Sequence, residues 1–140
     1  ISSRDAMEHV RKTSPYFPAW LEDSELMYND AIAALEKKDI EKLGNLARSN
    51  YLKMFSTMFS SFPPVFYWRP ESVALIRFTE DLRRQGLEVW ETMDAGPQVK
   101  LLSLEKNVSR ITQALEQHFS HLTYVVSKPG PGPVEIAQTS

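Results

Sequence analysis

The chain has 140 residues, 42% of them hydrophobic and 24% charged, and its 16 Lys/Arg against 18 Asp/Glu leave a net charge of −2. That is enough chain for one globular domain with a real core, and it carries no electrostatic footprint for nucleic acid or an anionic membrane. The absence of cysteine excludes a disulfide scaffold, a Cys-ligated zinc site and a Cys nucleophile. No apolar run approaches the roughly 20 residues of a membrane span and no secretory leader is visible, so the expected setting is cytoplasmic. The chain starts at Ile1 rather than Met, which reads as a piece cut from something longer.

Ser2 and Ser3 are good N-caps, Asp5 suits the positive end of a helix dipole, and Met7 and Val10 mark an apolar stripe. Pro15 and Pro18 interrupt or end this first helix. Ser24 is expected to cap a second helix carrying Met27, Ala31 and Leu35 on one face. Asp39 is expected to cap a third, with Leu43, Ala47, Tyr51, Met54 and Met58 recurring on one side, until Phe62-Pro63-Pro64 stops it. Pro70 opens a fourth helix, with Val73, Ile76 and Leu82 among its apolar positions and Gly86 at its C-terminal cap. The pattern then changes period. Residues 88–93 are rich in strand formers, Asp94-Ala95-Gly96-Pro97 is turn chemistry, and 99–104 reads as a return strand, so a hairpin is expected. A fifth helix carries Val108, Ile111, Leu115 and Phe119. Residues 122–126 are another strand candidate. Pro129-Gly130-Pro131-Gly132-Pro133 is a stiff irregular stretch, and 134–136 suits a short last strand.

No repeat and no domain boundary is visible, so 1–140 reads as a single domain. Helices come first and strands cluster late. The expected fold is α+β, an antiparallel sheet with helices over one face and the other face polar or packed on something missing. Most candidate chemistry reduces to structure. His118 and His121, at a helix end and in the loop after it, have no further ligands beside them and read as solvated, so no metal site is expected. Asn107-Val108-Ser109 matches a glycosylation acceptor by chance. Arg83-Arg84 reads as a solvated helix terminus, and no Gly-rich phosphate loop is present. Two places remain. Ser2-Ser3-Arg4 brings hydroxyls, a guanidinium and a helix N-terminus together, which suits phosphate or carboxylate; on the residues alone a plain N-cap beside an exposed arginine is the favoured reading. Asp94 stands at a strand end on a Gly-Pro loop, where a carboxylate can be held rigidly and partly desolvated as a general base; taken alone, an Asx-turn closing the hairpin is the favoured reading.

Ser2-Ser3-Arg4-Asp5-Ala6-Met7, Thr13-Ser14, Phe62-Pro63-Pro64 and Thr92-Met93-Asp94-Ala95-Gly96-Pro97 with Val99-Lys100 together resemble the diphosphomevalonate decarboxylase family of the GHMP kinase superfamily, clearly over 1–105. The resemblance implies the C-terminal half of a two-domain enzyme, with a GHMP kinase C-terminal-like fold. It implies decarboxylation of mevalonate 5-diphosphate to isopentenyl diphosphate, with ATP and Mg2+ bound mainly by the N-terminal domain. Partners on this reading are that domain, the small anionic substrate and a second copy as a homodimer, with no nucleic acid and no membrane. Asp94 becomes the catalytic carboxylate, Ser3 and Arg4 substrate-binding groups, and Ser2 a supporting one. The isolated fragment is expected to be inactive. Three positions depart from the family pattern: Ala6 for Gly, Phe55 for His before the Pro-Pro pair, and Gln98 for Asn. The alternatives are a non-catalytic binding or interaction domain of the same fold, a phosphomevalonate decarboxylase, or a mevalonate kinase; retention of Asp94 argues against the last.

Overall fold

The computed structural model describes residues 2–132. The chain groups into two compact units, Ile1–Ser109 and Arg110–Ser140. The first holds four helices and a hairpin: α1 (Ser3–Thr13), α2 (Phe17–Glu36), α3 (Ile40–Phe59), α4 (Pro70–Arg84), β1 (Val89–Thr92) and β2 (Lys100–Ser103). A 3-10 turn over Glu105–Asn107 leads into α5 (Val108–His118).

Three of the expected helix starts are met. Ser2 caps α1, its side chain accepting from the Asp5 amide at 3.2 Å. Asp39 caps α3 by accepting from the Lys42 amide at 2.9 Å. Pro70 stands in the first turn of α4, where its missing N–H costs nothing. Gly86 closes that helix at φ 84°, a backbone conformation that favours glycine. The second helix differs. It starts at Phe17, with Pro18 in its first turn, so the proline opens the helix instead of breaking it. Ser24 lies inside α2 and donates to the Trp20 carbonyl at 2.8 Å, one turn back. The buried residue near the end of α2 is Ala34, while Leu35 is exposed.

The core of the first unit gathers on α3. Gly44, Tyr51, Phe55 and Met58 are buried and recur at helical spacing on one face. Tyr51, Phe55 and Met58 form one cluster with Ala6 and Val10 of α1, Val65, Ile76 of α4 and Met93. Phe55, Phe59 and Trp68 meet with ring centroids 5.5–5.9 Å apart, a favourable range for aromatic pairs. Phe55 is thus an apolar core residue.

β1 and β2 pair antiparallel with Val89 opposite Ser103 and Thr92 opposite Lys100, the expected hairpin. Val89, Trp90 and Glu91 are all buried. Successive strand residues point to opposite faces, so both sides of β1 are covered and the expectation of one open face does not hold there. Among the described residues the sheet has only these two strands. The expected strand at 122–126 is not formed: Val125 is 92% exposed. Valine favours strands because it fits a half-buried pleated surface, and this segment has no such surface to join. The expected strand at 134–136 lies outside the described residues.

In the second unit, α5 runs to His118, whose ring Nδ1 donates to the Ala114 carbonyl at 2.9 Å. The Tyr124 hydroxyl donates to Glu116 Oε1 at 2.6 Å. No helix of the described residues is long and apolar enough to cross a membrane.

Candidate functional site

Asp94 follows β1 by two residues, at the start of the loop that links the hairpin strands. The loop backbone is fixed at several points. Met93 is buried in the core cluster, and Ala95 and Val99 pack against it. The Gly96 amide donates to the Asp94 carbonyl at 2.7 Å. On the far side, the buried Ser72 hydroxyl donates to the Pro97 carbonyl at 3.1 Å while accepting from the Arg69 amide at 3.3 Å. One serine thereby caps α4 and ties down the loop. A Cβ on Gly96 would stand 2.7 Å from Gln98 Oε1, so the Gln98 side chain lies close over this turn.

The Asp94 side chain itself faces solvent, at 68% exposure. The partial desolvation expected of a loop carboxylate is therefore absent in this chain. Lys100 Nζ donates to Asp94 Oδ2 and forms an ion pair with it. The sequence reading missed this partner; lysine opens the return strand six residues on, a spacing visible in the sequence.

The other candidate group stands at the start of α1. Ser2 and Asp5 hold each other: the Ser2 hydroxyl donates to Asp5 Oδ2 at 2.6 Å and accepts from the Asp5 amide. Ser2 is thus used as a cap. Ser3 shares the helix face of Ala6, Met7 and Val10 by spacings of three, four and seven, and it is exposed one turn before the buried residues. Arg4 is exposed and makes no ion pair among the described residues. The rest of α1 is tied to the segment after α3. His9 Nε2 donates to the Pro63 carbonyl at 2.8 Å, and Thr13 Oγ1 accepts from the Phe62 amide at 3.3 Å. Ala6 and Val10 share one buried cluster with Met93, and Met7 and Ala95 pack on that cluster. The two segments picked out in the sequence, some ninety residues apart, are therefore built on a common piece of core.

A second group of charges lies behind the hairpin, and the sequence reading did not find it. Glu91 is fully buried between two helices. Arg48 Nε of α3 donates to its Oε1 at 2.6 Å, Arg83 Nη1 of α4 to its Oε2 at 2.7 Å, and the Tyr51 hydroxyl to Oε1 at 3.2 Å. Arg48 also pairs with Glu80. Burial by itself would raise the Glu91 carboxyl, but the hydrogen bonds from Arg83 and Arg48 outweigh it and hold the carboxyl below its ordinary value. Burial, with the Glu91 carboxylate alongside, pushes the Tyr51 hydroxyl up. The reading of Arg83-Arg84 as a solvated terminus is correct for Arg84, which pairs with Asp81 at the surface. It fails for Arg83, because a helix end packed against a buried carboxylate presents one of two adjacent arginines inward. Asn107 of the chance glycosylation match is buried in the 3-10 turn.

Among the described residues no group of three or more His, Asp or Glu is placed to hold a metal ion.

The family description "Mevalonate 5-diphosphate decarboxylase C-terminal domain" matches residues 1–135. The chain belongs to this family. It is 29% identical over 112 residues to a diphosphomevalonate decarboxylase of Candida albicans, spanning 76% of this chain and 31% of that protein. It superposes on the mevalonate diphosphate decarboxylase of Enterococcus faecalis with a TM-score of 0.82 at 35% identity, covering 85% of this chain and 37% of that one. The mevalonate pyrophosphate decarboxylase of Streptococcus pyogenes gives 0.82 at 36% identity, covering 84% and 37%. A structure of MDDEF in complex with MVAPP, AMPPCP and magnesium gives 0.83 at 35%, covering 86% and 37%. The chain thus spans about a third of the length of these relatives. The α+β reading and the family resemblance both hold.

Proposed function

We propose that this chain is the C-terminal part of a cytoplasmic, ATP-dependent diphosphomevalonate decarboxylase that converts mevalonate 5-diphosphate into isopentenyl diphosphate, with ADP, phosphate and carbon dioxide as the other products. The observation that carries this reading is the single buried cluster shared by α1 and the Asp94 loop, which supports a joint role for Arg4, Ser3 and Asp94. The substrate and nucleotide classes are supported by the relative solved with MVAPP, AMPPCP and magnesium. ATP and Mg2+ are held mainly by the rest of the enzyme.

Asp94 orients the tertiary 3-hydroxyl of the substrate and takes its proton as the hydroxyl oxygen bonds to the γ-phosphorus of ATP and ADP leaves. The 3-phosphate then departs, and positive charge grows at C3. Electrons from the bond to the carboxylate form the alkene as carbon dioxide is lost. Once it has passed its proton on, the anionic Asp94 also stabilises the cationic carbon. Arg4, with its fixed charge and planar donors, and Ser3 at the helix N-terminus hold substrate anionic groups. Holding those groups aligns the hydroxyl for in-line transfer and lowers the entropic part of the barrier. Ser2, as the cap, fixes the start of the helix.

The test is Asp94→Asn and Asp94→Ala in the full-length enzyme. Turnover should fall by about 10²–10⁴-fold, the usual share of a general base, while KM changes little. Near-parental turnover from a folded variant would remove Asp94 from the mechanism.

A further inference from the structure

The Asp94 loop has a rigid backbone and an exposed carboxylate. Met93 anchors it in the core and Ser72 holds the Pro97 carbonyl, whereas the Asp94 side chain stands out into solvent. The one cation bonded to it among the described residues is Lys100, whose ammonium donates to Oδ2. Lys100 is the first residue of β2 and is paired with Thr92, the last of β1, so the hairpin ladder delivers its side chain to the mouth of the loop. Both partners are more than half exposed, at 55% and 68%, and such a pair in water is weak and screened.

We infer that Lys100 is a positioning residue for Asp94, occupying Oδ2 so that Oδ1 is left as the acceptor for the substrate hydroxyl proton. The inference rests on the reading of Asp94 as the base. Its force comes from the covered site: once substrate and the remainder of the enzyme exclude water, the same pair is less screened and holds the carboxylate more firmly. Lys100 then acts through Asp94 and not on the substrate, so removing it should slow the chemical step and leave binding alone.

The experiment measures kcat and KM of the full-length enzyme with Lys100→Met and Lys100→Arg, beside Asp94→Asn, with the melting temperature of each. A misdirected base should lower kcat of Lys100→Met about tenfold with KM within about twofold, since small misplacements of catalytic groups carry costs of this size or more. Lys100→Arg, which restores the cation, should recover kcat to within about threefold. Three results overturn the inference: kcat of Lys100→Met within twofold of the parent; a raised KM at unchanged kcat, which would make Lys100 a substrate contact; or an arginine variant no better than the methionine one. If Lys100→Met does not fold, Lys100→Gln against Lys100→Arg provides the same comparison. An active Asp94→Asn refutes the underlying reading of Asp94. An inactive Asp94→Asn with a fully active Lys100→Met refutes the role of Lys100 alone.

Discussion

Replacing Gly44 by alanine sets two effects of opposite sign against each other. On helix propensity alone the change is favourable, because glycine inside a helix costs about 1 kcal/mol relative to alanine. Against this stands the approach of Trp90 from β1. A Cβ at position 44 would lie 2.1, 2.4 and 2.6 Å from Trp90 Cδ2, Cγ and Cε3. These are atoms of a rigid ring close to the backbone, and they cannot swing away as the end of a lysine could. The indole is buried, and its Nε1 donates to Asn45 Oδ1 at 3.0 Å, which holds it in place. Relieving the clash means moving α3 away from β1. Overpacking of this kind costs about 1–3 kcal/mol and at times more; with contacts this short the upper end applies, so Gly44→Ala should destabilise by about 2 kcal/mol net. For a chain of this length that lowers Tm by roughly 8 °C. Thermal unfolding followed by circular dichroism reads it directly. Residues in contact couple by about 0.5–3 kcal/mol in double-mutant cycles. In a Trp90→Leu background the penalty of Gly44→Ala should therefore shrink by at least about 1 kcal/mol. A Gly44→Ala chain as stable as the parent, or more so, would mean that propensity has won and that the close approach is not there.

Glu91→Gln keeps the shape but leaves Arg48 and Arg83 facing each other without their shared carboxylate. Losing one partner of a buried ion pair costs about 3–5 kcal/mol, and because the two arginines keep some access to water, 30% and 20%, the lower figure applies; urea unfolding at neutral pH measures it. The folded Glu91 carboxyl lies below its ordinary value of 4.5, so its contribution is complete above that value and is lost as pH falls through the depressed folded one. The stability gap between parent and Glu91→Gln should accordingly narrow as pH drops below about 4.5; a gap constant down to pH 2 would contradict the charged assignment. Arg4→Ala in the full-length enzyme should raise KM for the anionic substrate by roughly tenfold, the loss of a charge-assisted contact, and an unchanged KM would count against Arg4 as an anion holder.

Much of the secondary structure was legible because its causes are local. Ser2, Asp39 and Pro70 announce helix starts by what their side chains or ring do to the first turn, and Gly86 announces an end by its tolerance of positive φ. The hairpin followed from strand formers on either side of Asp94-Ala95-Gly96-Pro97. Pro18 misled because proline both breaks helices and opens them, and the choice depends on which hydrogen bonds its neighbours find. The segment 122–126 misled because strand preference measures the fit to a surface that only the fold can provide. Asp94, Ser2, Ser3 and Arg4 were legible as motifs.

The sequence by itself determined the α+β class, the starts of α1, α3 and α4, the hairpin and the family, since each is written in neighbouring residues or in short motifs. The tertiary structure alone decided that α1 and the Asp94 loop share one cluster through Ala6, Val10 and Met93. It also decided that Glu91 is a buried hub for Arg48, Arg83 and Tyr51, and that Gly44 is needed for the approach of Trp90. These facts join residues about 8 to nearly 90 positions apart. Their energies come from burial and electrostatics between faces that meet only when the chain is folded, and no local pattern encodes which faces will meet.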